Sequence, residues 1–129
     1  MYLIDTNIFL EVLLSRSRKD DCKKFLTALY KGEKTGIITD FTIHSIIVIM
    51  RNFKLHELKT FLLSLTAYKG LIVYNTTLKD ELNAVEIATL HALDMDDAIQ
   101  YAVALSTEAD AILSFDKHFN NLSIPREEP

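Results

Sequence analysis

The chain has 129 residues, 49% hydrophobic and 25% charged, enough for one domain with its own core. Its net charge of −4, from 14 basic and 18 acidic residues, argues against a protein that coats nucleic acid phosphates with Lys and Arg, though not against a nuclease whose metal ions meet the phosphate. The single cysteine, Cys22, excludes an internal disulfide and a cysteine-rich metal site and suits a reducing, cytoplasmic setting.

The first apolar run, Tyr2–Ile4, reads as a buried strand that ends on Asp5. Asp5 and Asn7 interrupt it, so it does not resemble a signal peptide. A helix is predicted from Asn7 to Ser15 with Ile8, Val12 and Leu13 inward. The stretch Ser15 to Lys24 holds five basic and two acidic residues, a solvated helix start before it is a substrate-facing patch. Asp20 to Lys31 forms the next helix, stopped by Gly32. A second strand covers Gly36–Thr39, and Asp40 reads as the plain cap of a helix through Ile43, Ile46, Ile47, Met50 and Phe53. The β-branched run Ile46–Ile49 leaves a strand open as the alternative there. The longest apolar run, Ile46–Met50, is far too short to span a bilayer, so a membrane role is not expected.

A helix from Leu55 to Lys69 ends at Gly70, followed by a strand at Leu71–Tyr74 and helices over Leu78–Leu93 and Asp97–Thr107. Ala111–Ser114 is a fourth strand, with a short fifth near Ser123–Ile124. Residues 1–124 form the domain and 125–129 read as a loose tail. Strands alternating with helices predict an α/β, three-layer sandwich with a central four- or five-stranded parallel sheet flanked by helices. In such sheets ligands bind beyond the carboxyl ends of the strands.

Aspartates stand there: Asp5, Asp40 and Asp116 after strands, and Asp96 and Asp97 at the head of a strongly amphipathic helix. Each has a plain structural use. Asp96 can cap its helix, Asp97 and Gln100 have capping-box spacing, and Asp116 can begin a turn through Lys117 and His118. Several together repel one another and call for a cation. Oxygen-only ligands without Cys or clustered His select Mg²⁺ or Mn²⁺, and such a pocket suits phosphodiester hydrolysis.

The order "LIDTN", "DDAIQYAVAL" and "AILSFDKHF" resembles the PIN domain, a family of metal-dependent ribonucleases that includes VapC-type toxins. The resemblance covers essentially the whole chain. It implies that Asp5, Asp97 and Asp116 are the catalytic, metal-holding carboxylates, with Asp96 a further candidate ligand and Asn7, Ser45 and His118 supporting them. Phe119 looks like a packing residue, and His118 stands where relatives usually carry an acid. The family's usual helix glutamate falls at or beside Ser45, and no Glu occurs between Glu33 and Glu57; Asp96 and Glu11 are the candidate substitutes.

The resemblance implies a metal-dependent endoribonuclease, the toxin of a toxin–antitoxin pair, with an RNA substrate, a small antitoxin partner and a homodimeric state. The missing glutamate keeps a second reading beside it, a PIN-fold module that binds RNA or protein without cleaving. A haloacid-dehalogenase-like or receiver fold fits poorly, because Asn7 stands where the first needs an aspartate and Asp96–Asp97 come too late for the second. His44 reads as a packed or rim histidine and Cys22 as inert, while Phe25, Phe53 and Phe61 read as core.

Overall fold

The computed structural model describes residues 1–129. Five strands form one sheet: β1 (Tyr2–Ile4), β2 (Gly36–Thr39), β3 (Leu71–Tyr74), β4 (Ala111–Leu113) and β5 (Arg126–Glu127). Their order is β3-β2-β1-β4-β5, with every neighbouring pair parallel. The chain steps outward from β1 to β2 and β3, then crosses back to place β4 on the other side of β1. The reversal of direction lies between β1 and β4.

Six helices cover the sheet: α1 (Thr6–Leu13), α2 (Lys19–Lys31), α3 (Asp40–Met50), α4 (Leu55–Leu65), α5 (Leu78–His91) and α6 (Met95–Ser106). Successive side chains of a strand point to opposite faces, so a central strand covered on both sides must be apolar throughout. Ile4, Ile38 and Leu113 enter one core with Ile8, Phe9, Leu29, Ile46 and Phe61 from α1 to α4. Leu3, Ile37 and Ile112 enter the other with Tyr101 and Val103 from α6, and with Phe119. The α5–α6 pair closes through Ala84, Ala98 and Ala102, whose small side chains let the helices approach. No helix is long and apolar enough to cross a membrane.

The run Ile46–Ile49 is helical, which settles the strand-or-helix alternative. Thr39, not Asp40, is its cap, accepting from the Thr42 N–H at 3.0 Å. Asp40 lies in the first turn and accepts from Phe41 N and from both Thr76 N and Thr76 Oγ1, tying α3 to the loop before α5. Phe53 lies beyond α3 and is exposed rather than core, and Leu105 near the end of α6 is also exposed.

The fifth strand is not at Ser123–Ile124 but at Arg126–Glu127, inside the segment read as a loose tail. Two charged residues make a poor strand signal, yet the backbone of β4 supplies the pairing: Ile112 N donates to Pro125 O and Ser114 N to Glu127 O, both at 2.9 Å. Arg126 Nη1 also donates to Ser114 O at 2.8 Å.

Gly70 is required by close approach. A Cβ there would lie 2.0 Å from the Lys34 carbonyl oxygen and 2.9 Å from that of Leu29, both backbone atoms that cannot swing aside. Gly70→Ala is expected to cost about 2–3 kcal/mol, read as a lower urea midpoint with an unchanged slope.

Candidate metal centre

A cavity of about 550 Å³ opens at the carboxyl ends of β1 and β4, where the strand order reverses. Asp5, Asp94, Asp96, Asp97 and Asp116 line it, and no Lys or Arg does. Asn7 from α1, His44 and Ser45 from α3, Gln100 from α6 and His118 complete the walls that matter for chemistry. Asp40 is not among them, and Glu11 is engaged elsewhere, accepting from Arg18 N at 2.8 Å. Glu11 is therefore no substitute for the missing helix glutamate, and the wall at Ser45 carries a hydroxyl in place of a carboxylate.

Asp5 occupies the cap position of α1 but makes no capping bond through its side chain. Its carboxylate turns inward, only 4% exposed, and accepts from Ser114 Oγ at 2.6 Å and Gln100 Nε2 at 2.8 Å. Burial raises its pKa, against the lowering effect of those two bonds and of the Thr6 N–H. Ser114 Oγ also accepts from Asp116 N at 2.9 Å, so one hydroxyl links the aspartate after β1 to the one after β4.

Asp96 and Asp97 sit in the first turn of α6, whose cap position belongs to Asp94. Asp96 is not the cap, and the Asp97–Gln100 spacing is not a capping box, because Gln100 reaches across to Asp5. The positive end of the helix dipole favours ionised carboxylates there. Crowding works the other way. The Asp97 pKa is pushed up to about 6 by burial first, then by the charges of Asp116, Asp96 and Asp5, with His118 opposing. Asp116 accepts from His118 N at 2.8 Å and so opens the short turn Lys117–Phe119 as expected, while Phe119 is fully buried.

Ligand atoms of Asp97, Asp116 and His118 all lie within 4.8 Å of one another. Asp5 faces the same cavity but stands outside that tight group, both of its oxygens already hydrogen-bonded. Asp96 and Asn7 are exposed at the rim, Asn7 accepting a long 3.4 Å bond from Arg16. Two findings suit a divalent cation. Like-charged carboxylates crowd together without a basic partner from Lys or Arg. The Oε1 of Gln100, a residue 3% exposed, has no hydrogen-bond partner, an arrangement that costs about 1–3 kcal/mol unless a donor such as a water of hydration fills it.

Gln100 and Ser114 are the residues that sequence reasoning missed. A lone polar residue inside the apolar run "AIQYAVAL" was the available signal for the first. Ser114 looked like an ordinary strand end.

The PIN domain family model matches residues 2–125. This chain belongs to the PIN domain family. Among solved structures, this PIN domain is similar to Mycobacterium tuberculosis VapC20, a Sarcin-Ricin loop cleaving toxin, with a TM-score of 0.81 at 14% identity over 100% of both chains. It is similar also to a chain of a toxin–antitoxin complex from Klebsiella pneumoniae, with a TM-score of 0.74 at 21% identity over 95% of this chain and 93% of that one. A third likeness is to a chain of Rickettsia felis VapBC2 bound to a promoter DNA fragment, with a TM-score of 0.73 at 17% identity over 98% and 97%. No curated protein matches the chain. At these identities the structural likenesses speak for the fold.

Proposed function

We propose that this PIN domain is a divalent-metal-dependent endoribonuclease, the toxin of a toxin–antitoxin pair, with Asp5, Asp97 and Asp116 as its essential carboxylates. The observation that carries this reading is the cavity itself: five aspartates at the strand-order reversal with no Lys or Arg among the lining residues. An RNA phosphodiester is an anion and has no reason to enter such a cavity unless a cation stands between. The family membership and the toxin–antitoxin titles of the similar structures support the same reading.

A bound Mg²⁺ or Mn²⁺ supplies Lewis acidity toward a phosphodiester. The chain's own residues do the positioning. Asp97 and Asp116 are more exposed than Asp5 and present their carboxylates from a helix start and a tight turn. Asp5, locked by Ser114 and Gln100, adds a fixed negative charge at the cavity floor and keeps its carboxylate aligned. Asp96, Asn7 and Ser45 also line the cavity, where they would meet the ribose–phosphate backbone. An antitoxin that blocks the cavity would suitably insert an Arg or Lys among these acids. Exposed apolar side chains on α5, among them Leu78, Leu82 and Val85, suit the homodimer the family leads one to expect.

The purified chain with Mn²⁺ should cut single-stranded RNA, lose all cutting in excess EDTA and regain it when Mn²⁺ is restored. Cutting that persists in EDTA would count against the proposal. A second reading, a PIN-fold module that binds without cleaving, is favoured by one observation, the hydroxyl of Ser45 on the cavity wall. It predicts no heat of binding on titration with millimolar Mn²⁺.

A further inference from the structure

We propose that His118 is itself a ligand, its Nδ1 joining Asp97 and Asp116, and that it makes the centre select transition-metal ions that accept imidazole, such as Mn²⁺, over Mg²⁺. This rests on the metal-dependent reading above and adds the identity of the third donor and the choice of ion.

One ligand atom from each of His118, Asp97 and Asp116 lies within 4.8 Å of the other two. His118 Nδ1 lies 3.2 Å from Asp116 Oδ1 and 3.5 Å from Asp97 Oδ2. Donors about 2.0–2.2 Å from one ion stand about 2.8–3.1 Å apart on adjacent corners of an octahedron and about 3.3–3.6 Å apart in a tetrahedron. The two distances are close to those spacings, so a small shift of the exposed imidazole would bring it onto a shared ion. The turn Lys117–Phe119 makes this possible: Asp116 accepts from the His118 N–H, and the buried Phe119 anchors the far side, so the imidazole folds back over the carboxylates.

A second and independent observation points to something bound in the same cavity. Gln100 Oε1 is buried and lacks any partner, and Gln100 belongs to the cavity wall. A small turn of this amide toward the cavity would let a water in the hydration shell of a cation donate to the open acceptor. The ligand chemistry then sets the ion. Mg²⁺ demands oxygen donors and holds its waters, whereas imidazole nitrogen suits first-row transition ions, whose affinity for N/O sites increases from Mn²⁺ to Cu²⁺ and falls again at Zn²⁺.

The test uses the full chain freed of metal by chelator and then loaded with Mn²⁺. Pulsed electron spin resonance reads nitrogen coupled to the manganese, and competition with Mg²⁺ gives the preference between the ions. Three variants accompany it: His118→Ala, His118→Asp and His44→Ala. The His118 side chain is 68% exposed, so its removal spares the core, and circular dichroism checks that. The expected result is an imidazole nitrogen signal in the parent and in His44→Ala, absent from both His118 variants. His118→Asp should still bind Mn²⁺, with a preference over Mg²⁺ reduced tenfold or more. Mn²⁺ bound to the parent with no nitrogen signal, or an unchanged preference in His118→Asp, overturns the assignment of His118 alone. A parent that binds no Mn²⁺ at millimolar concentration overturns this proposal and the ribonuclease reading together.

Discussion

Asparagine at position 5 should lower Mn²⁺-dependent RNA cleavage by about a thousandfold, on the scale seen when one preorganised charge-stabilising group is lost, and should leave the fold standing. The second half follows from the hydrogen bonds. Asp5 accepts from Ser114 Oγ on one oxygen and from Gln100 Nε2 on the other. The carboxamide of Asn keeps an oxygen for Ser114. Its new N–H₂ would face the Gln100 amide, which can turn over and offer Oε1, the atom that has no partner in the parent. The exchange therefore leaves one Gln100 atom unpartnered, now Nε2 in place of Oε1, and it removes a buried carboxylate whose ionisation burial disfavours. A loss of cleavage in this variant then reports the charge, not unfolding. The assay is single-turnover cutting of end-labelled single-stranded RNA beside a thermal melt. If Asp5→Asn cuts as fast as the parent, the activity belongs to a contaminant and the proposed function fails.

Asp97→Asn should do two opposite things. In metal-free protein at pH 7 it should raise stability by about 1–3 kcal/mol, the scale of a shift of about two pKa units after allowance for residual solvent screening. The sign follows from linkage. The folded Asp97 pKa of about 6 lies above its ordinary value of 3.8, so the folded chain holds this proton more tightly than the unfolded chain does. Stability from this group is full below the lower value and is lost as pH rises through the upper one. Asp5 shifts in the same direction and adds to the trend. The parent should thus melt higher at pH 5 than at pH 7 without metal, and Asp97→Asn should flatten that difference. Mn²⁺ reverses the order. At one hundred times its dissociation constant a ligand adds about 2.7 kcal/mol to the folded state, which the parent should show at pH 7 and Asp97→Asn should lack. A variant that melts below the parent at pH 7 without metal would refute the crowding argument.

Much of the sheet was legible in the sequence because its central strands are covered on both faces, and such strands can only be written as apolar runs. Asp5 stood out for the same reason, as a charge at the end of a run that needs none. The edge was less legible. Arg126 and Glu127 are both charged and join β4 through backbone atoms, which carry no residue signature, while the largely buried Arg126 guanidinium bonds the Ser114 carbonyl besides. Asp40 and Thr39 are both good capping residues, and only the backbone decides which one stands one position outside the helix. At the cavity, the spacing of Asp97 and Gln100 fits a local capping bond and a long-range bond equally well. Covering 95 residues to reach Asp5 is a property of the α6–β1 packing, not of the motif. The resemblance placed His118 among supporting residues, and its approach to two carboxylates depends on the tight turn after Asp116.

The strand order also governs when the molecule can exist on the ribosome. β1 precedes the other strands in the chain, yet one of its two neighbours is β4, and Asp5 waits for Gln100 and Ser114, which follow it by 95 and 109 residues. Contacts so distant along the chain close late and slowly. A nascent chain that stops short of β4 has a half-paired β1, no Ser114 and no Asp116. For a proposed toxin, translation that aborts before β4 releases a fragment unable to assemble the acidic cavity, and cutting becomes available only once the last third of the chain has been made.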